Sequence, residues 1–392
     1  MKTRKLSRKR RRATIVTAAA ASVVAGAALL PNWSAGAASV ADPAVDASTK
    51  ATFQRLADAV FTDRTDALVD NGKSKQGKSK ASRFSGDVRL SSTQSRDENS
   101  ALSQLRGRKS RLASLGEKYS SANTTVSLDR TQVKGRHATV AVTETTTLTY
   151  KKVRGNEPKT TGFQAHHELT FKADREGDWQ LTDVRDTDDG VAVNQVASPQ
   201  VAKPAVKSDA GPPEATRSAI TTPAPAKAKN LSAAGYDYKA MAAYAAKYWN
   251  KYNSAYPDFN GQGAGGDCTN FVSQTLKAGG WKHVPGYTND FHKWFGTADI
   301  QSDSFVGVNE FSWFALSSKR VTSLANVYQM DVGDVLQMDF NKDGSKDHSM
   351  IVTYRSPQGV PYVTYHSTNT YNRSVASIIA SYPNAAYYAY RT

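Results

Sequence analysis

The chain has 392 residues and a single cysteine, Cys268, so no internal disulfide can form. That leaves the thiol three roles: nucleophile, intermolecular partner or packing residue. No long apolar run follows Leu30, so nothing downstream reads as a membrane-spanning helix. No cysteine lies near residues 35–37 to take a lipid anchor. Acids are missing from the first 37 residues, which carry Lys2, Arg4, Lys5, Arg8, Lys9, Arg10, Arg11 and Arg12.

What is present at the N-terminus is the pattern of an export signal. The basic residues precede an alanine-rich apolar stretch from Ala13 to Leu30 and the small-x-small site Ala35-Gly36-Ala37. This predicts a signal peptide over residues 1–37, bacterial export and a secreted, extracellular mature chain. Arg11-Arg12 has a poor twin-arginine continuation in Ala13-Thr14-Ile15, which favours the general secretory route. Without those eight basic residues the formal charge of +16 falls to about +8. Such a surplus fits nonspecific adsorption to an anionic cell wall and does not require a nucleic-acid partner.

An α+β fold class is expected, in two globular parts. Residues 46–188 begin with a helix on which Phe53, Leu56, Ala57, Val60, Ala67 and Leu68 recur at helical spacing. The polar run Asn71–Lys80 reads as an exposed loop. The period then changes to two. Val140, Val142 and Glu144 alternate with Thr139, Ala141 and Thr143, and His167–Phe171 and Trp179–Val184 flank the turn Arg175–Asp178 as a hairpin. This small α+β domain loosely resembles the nuclear-transport-factor-like cone. His166 and His167 point to opposite strand faces and make a poor chelating pair. Residues 189–232 are rich in Ala, Pro and Lys and read as an extended linker.

The chemistry is expected in residues 233–392. A helix from Tyr238 to about Asn253 presents one aromatic face, and after Tyr256-Pro257 a glycine-rich turn delivers Cys268 to a second helix. Phe271, Val272, Thr275 and Leu276 continue on the sulfur's side until Gly279-Gly280 ends the helix. The free N–H groups and dipole of a helix N-terminus favour a thiolate. A nucleophilic thiol needs a base, usually histidine, and the base an orienting partner. Strands are expected at Val335–Met338, His348–Tyr354 and Tyr362–Ser367. His348 opens one strand and His366 closes the next, so an antiparallel hairpin is expected to bring both imidazoles to one sheet edge.

Residues 236–392 resemble the putative amidase domain family, a branch of the papain-like cysteine peptidase and amidase fold that is distantly NlpC-like. The resemblance is carried by Tyr248-Trp249-Asn250, Tyr256-Pro257, the run Gly265–Gln274, Ala278–Trp281, Ser312-Trp313, Gly333–Val335, Asp347-His348 and Tyr365–Ser367. It implies Cys268 as nucleophile, His348 as general base and His366 as the polar third residue. Tyr256 matches a tyrosine that often completes such sites, and Asn369 is a second candidate for the third role. The chemistry implied is amide hydrolysis through a thioester, plausibly in cell-wall peptide such as peptidoglycan, with no organic cofactor. Asp267 is expected as a turn or capping group, since a carboxylate beside a thiolate would raise its pKa.

One other motif stands apart. Asp339, Asn341, Asp343, Ser345 and Asp347 have the oxygen spacing of a calcium loop, but Met350 occupies the position of the bidentate glutamate. A tight polar turn is the simpler reading, with Asp347 a polar neighbour of His348. Two other functions use the same residues: a noncatalytic wall-binding or partner-binding module, and an acyltransferase passing the thioester to an amine.

Overall fold

The computed structural model describes residues 45–70, 89–190, 192–196, 212–221, 227–232, 235–260 and 266–392. The expected signal peptide and the Asn71–Lys80 loop lie outside them. Residues 43–392 form one compact unit. The architecture is α+β, as expected, with a large, mostly antiparallel sheet. No helix among the described residues is long and apolar enough to cross a membrane.

The N-terminal half comprises α1 (Ala47–Asp66), β1 (Arg89–Leu90), α2 (Ser92–Ser114), β2 (Tyr119–Lys134), β3 (His137–Tyr150), β4 (Thr160–Ala173) and β5 (Trp179–Asp186). Asp46 caps α1 by accepting from the Thr49 N–H at 2.8 Å. Phe53, Leu56, Ala57, Val60 and Phe61 then bury one stripe against the sheet. On β3 the inward set expected from the alternation is buried, including Glu144.

Strand length joins the two halves. β4 has 14 residues and spans about 45 Å, whereas β5 has 8 and spans about 26 Å. β3 covers one edge of β4, and β5 covers the other only from His167 to Ala173. The uncovered part accepts a strand from the C-terminal half, with Phe163 opposite Thr370 and Gly162 opposite Tyr371. Backbone groups left open by the short strand are thus satisfied across the chain.

The C-terminal half contains α3 (Tyr238–Tyr248), α4 (Cys268–Ala278), α5 (Asp303–Val306), α6 (Val308–Ser317), β6 (Thr322–Leu324), β7 (Val335–Asp339), β8 (His348–Arg355), β9 (Pro361–Tyr365), β10 (Thr370–Ser374), α7 (Val375–Ser381) and β11 (Ala386–Arg391). The sheet runs β1-β5-β4-β10-β9-β8-β7-β11-β6, with β3 and β2 continuing from β4. One face packs α4 and its neighbours, through Phe271, Val272, Leu276, Val335 and Ile351. The opposite face packs α7, through Met338, Met350, Val352, Val363 and Ile378. The strands expected at 335–338, 348–354 and 362–367 are present as β7, β8 and β9. α3 ends at Tyr248, several residues before the expected Asn253.

Parts of the expected linker are docked rather than extended in solvent. The Ser218 hydroxyl donates to Leu324 O at 2.7 Å and accepts from the Ala389 N–H at 2.9 Å. Lys229 Nζ reaches Asp334 Oδ1 at 2.8 Å and Thr392 Oγ1 at 2.9 Å. Edge backbone groups and the buried Asp334 supply these partners, a tertiary opportunity that composition does not reveal.

Candidate active site

The turn before α4 is made by Gly266, whose φ is +74°, a conformation glycine adopts without a Cβ clash. A Cβ there would also run into Ser367 Oγ. The next residue, Asp267, donates its backbone N–H to Ser367 Oγ at 2.9 Å, and its carbonyl accepts the first helical bond from the Phe271 N–H at 3.0 Å. Cys268 therefore stands at the first position of α4, as the glycine pattern predicts.

Asp267 occupies the N-cap position, but its side chain does not cap the helix. Its Oδ1 accepts from the Phe259 N–H at 3.2 Å and Asn270 Nδ2 at 2.7 Å, while Oδ2 meets His366 Nδ1 at 2.6 Å. His366 Nε2 lies 2.7 Å from the Tyr248 carbonyl oxygen. A carbonyl only accepts, so Nε2 is the donor in that contact. The imidazole is sandwiched by Phe271 and Tyr252, with ring centroids 4.1 and 4.4 Å away. A buried Asp267–His366 pair thus lies against the first turn of the cysteine helix.

Cys268 itself is fully buried. Burial pushes its pKa up to about 11, against hydrogen bonds from the Ser349 backbone and Thr269 that favour the thiolate, and Asp267 adds to the rise. Sγ lies 3.7 Å from Thr269 Oγ1. This runs against the expectation of a resting thiolate, because burial of the sulfur disfavours the charged form. From Thr269 a chain of polar contacts continues into the core. Thr269 Oγ1 lies 2.9 Å from Ser349 Oγ, which accepts from Gln337 Nε2 at 3.0 Å, and Gln337 Oε1 accepts from the Tyr390 hydroxyl at 3.0 Å.

The expectation that His348 and His366 meet at one sheet edge is also corrected. Successive residues of β8 point to opposite faces, and the one turned toward α4 is Ser349. His348 is on the α7 face, bordering a recess of about 10 Å³ with Met338, Met350, Tyr365, Arg373 and Tyr382. Its ring meets Tyr365 edge-on at 4.9 Å. Burial, assisted by the Arg373 guanidinium, lowers its pKa to about 3, so it is neutral. The offset of one residue decides which side chain reaches the sulfur's side of the sheet.

The remaining candidates are distributed around this core. Tyr256 stacks on Phe305, centroids 5.9 Å apart. Asn369 Oδ1 accepts from the Tyr252 hydroxyl at 3.0 Å, which links it to the His366 sandwich. Asp347 Oδ2 accepts from the Phe340 N–H at 2.7 Å. In the candidate calcium loop, Asp339 accepts from the Lys342 and Gly344 N–H groups, Asp343 Oδ1 from the Ser345 N–H, and Ser345 Oγ from Asn309 Nδ2. These oxygens hold a turn together. Among the described residues no group of three or more His, Cys, Asp or Glu is arranged to hold a metal ion.

Residues missed from the sequence are Ser349 and Gln337, and for Asp267 the partner His366. Alternation along His348–Tyr354 contains the signal for Ser349, since its parity matches Ile351 on the helix-packed face. Nothing local announces the Asp267–His366 contact across 99 residues.

Comparison with known proteins places this region. Residues 235–390 match the family described as "Putative amidase domain". Two similar proteins come from Bacillus subtilis (strain 168), both uncharacterized. YhbB is 32% identical over 142 residues, covering 35% of this chain and 44% of its own. YjcM is 32% identical over 151 residues, covering 36% of this chain and 33% of its own. The matched segments thus span less than half of either relative. No solved structure matches the chain. The segment from 235 to 390, which holds Cys268, Asp267 and His366, belongs to the putative amidase domain family.

Proposed function

We propose that the C-terminal half hydrolyses an amide bond with Cys268 as nucleophile, within a papain-like arrangement of helix and sheet. The observation that supports this most directly is the only cysteine of the chain at the first position of α4, with the Asp267–His366 pair against the same turn. In the resting arrangement the thiol keeps its proton and both His366 nitrogens are occupied. Substrate binding therefore has to displace the Tyr248 contact, and His366 must release its Nε2 proton to solvent, before the imidazole serves as a base. Neutral Nε2 then takes the thiol proton as Sγ attacks the carbonyl carbon. The oxyanion is stabilised by N–H groups of the first turn of α4. The C–N bond breaks, the leaving amine takes the proton from His366, and water releases the acyl group as a carboxylic acid.

This reading moves the base from His348 to His366, because His366 is the imidazole that contacts the helix bearing the sulfur. Export and a cell-wall peptide substrate extend the same proposal and rest on the N-terminal basic and apolar pattern. The test is hydrolysis of a panel of peptide amides and N-acyl amides by the purified chain, followed by mass spectrometry. Cys268→Ser and His366→Gln are expected to lose at least about 10³-fold in kcat/KM, with an acyl adduct trapped on Cys268 in the parent protein. Undiminished hydrolysis by Cys268→Ala defeats the proposal. Tight binding without turnover by either protein favours a noncatalytic module, and transfer to added amines favours an acyltransferase.

A further inference from the structure

A cleft of about 580 Å³ lies where the two halves meet. Its lining draws on β4 and the segment after β5 from one half, and on the segments after α3 and β9 from the other. Tyr252 connects it to the candidate active site: one ring lines the cleft, stacks on His366 at 4.4 Å and donates its hydroxyl to Asn369. The walls are held in register, because the Gln164 N–H donates to Asn369 O at 2.8 Å beside the β4–β10 pairing.

The chemistry of the lining is unusual in two respects. Four carboxamides converge there, Gln164, Asn250, Asn260 and Asn369. Each offers both a donor and an acceptor, the combination that complements the C=O and N–H groups of a peptide backbone. Asn260 Nδ2 donates to Asp188 Oδ1 at 3.2 Å, while its Oδ1 is buried with no partner among the described residues. Among the described residues the charged lining is Asp188 and Asp258 against the single imidazole of His166, with no Lys or Arg. His166 is tied to Asp188, its Nδ1 2.9 Å from Oδ1 and its N–H donating to Oδ2 at 2.9 Å. The net field disfavours a carboxylate and favours an ammonium group.

We infer that this cleft is the substrate groove of the amide hydrolase, and that it selects peptides bearing a free amino group through the exposed Asp258, since the Asp188 side chain is buried and held by His166 and Asn260. Gln164 and His166 make the N-terminal half part of the recognition surface rather than a spacer. The inference deepens the proposed hydrolase and rests on it for the identity of the scissile amide; binding can be tested separately.

The probe is tetra-alanine amide, with its N-acetylated form and N,N′-diacetylchitobiose as comparators. Calorimetric titration uses the full chain carrying Cys268→Ala, so that nothing is turned over. The free-amine peptide is expected to bind at least tenfold tighter than its acetylated form. The surface variant Asp258→Asn should shrink that preference, while Gln164→Ala should weaken both peptides about equally. Thermal melts identify any variant that fails to fold, and Asp258, being exposed, keeps the test decisive. Equal binding of the two peptides, preference for the sugar, or unchanged preference in folded Asp258→Asn overturns the inference. If binding follows the expected pattern but the Cys268 protein cleaves nothing, the hydrolase proposal fails and the groove stands. If cleavage requires Cys268 but KM for both peptides ignores Gln164→Ala and Asp258→Asn, the groove fails and the hydrolase stands.

Discussion

Asp267 Oδ2 lies 2.6 Å from His366 Nδ1, both side chains buried, in a contact that joins the cysteine helix to the end of a β-strand 99 residues later. The pair sets the resting state of the site. It holds the imidazole against α4, and its carboxylate adds to the rise in the Cys268 pKa. The raised thiol pKa and the placement of the imidazole thus share the Asp267 carboxylate.

Breaking that pair should be costly. Removing one partner of a buried hydrogen-bonded pair leaves an unsatisfied polar group, worth about 1–3 kcal/mol. Asp267→Asn and His366→Gln are each expected to lose about 1–3 kcal/mol in urea unfolding at neutral pH, and the double variant less than the sum. A loss under about 1 kcal/mol for both single variants would mean the contact is not formed in solution.

The thiol should react slowly. With a pKa of about 11 against the ordinary thiol value of 9.0, the thiolate fraction near neutrality is lower by about a hundredfold. Iodoacetamide modification of native protein at pH 7.5 is expected to be slower than that of a free thiol by at least this factor. The rate should rise roughly tenfold per pH unit up to about pH 10, and the protection should vanish in denaturant. A native rate that levels off below about pH 8 would instead indicate a preformed thiolate.

The joint between the halves can be probed at Gly162. A Cβ there would lie 2.6 Å from the Tyr371 ring and 2.8 Å from the Thr146 carbonyl oxygen, and the Tyr371 ring is braced by Trp249 with centroids 4.5 Å apart. Gly162→Val is therefore expected to cost about 1–3 kcal/mol through overpacking. It should also loosen the β4–β10 pairing, so that amide exchange quickens at Gln164 and Thr370 more than in the middle of β3. Exchange slowed or unchanged at both sites would show that the joint does not depend on this close approach.

Much of the scaffold is legible without coordinates. Helical spacing at Phe53–Leu68 marks α1, alternation through Thr139–Glu144 marks β3, and the glycines flanking Cys268–Ala278 mark α4 at both ends. Such features depend on neighbours within one or two turns, so local periodicity contains them. α7 and β11 escape notice because short, largely buried segments lose the contrast between apolar and polar faces. The joining of the halves is equally hidden, since it depends on β5 being shorter than β4 and on a distant strand filling the gap.

The sequence by itself determined that one sulfur would begin a helix, that histidines would border two adjacent strands, and that the fold would be α+β. Only the tertiary structure decided which imidazole serves the helix face. Side chains along β8 alternate, so Ser349 reaches Thr269 while His348 turns to the other core. His366, brought back by β9, finds Asp267 instead. The upward shift of the thiol pKa arises at the same level, because burial is a property of the assembled fold and is the largest cause of that shift.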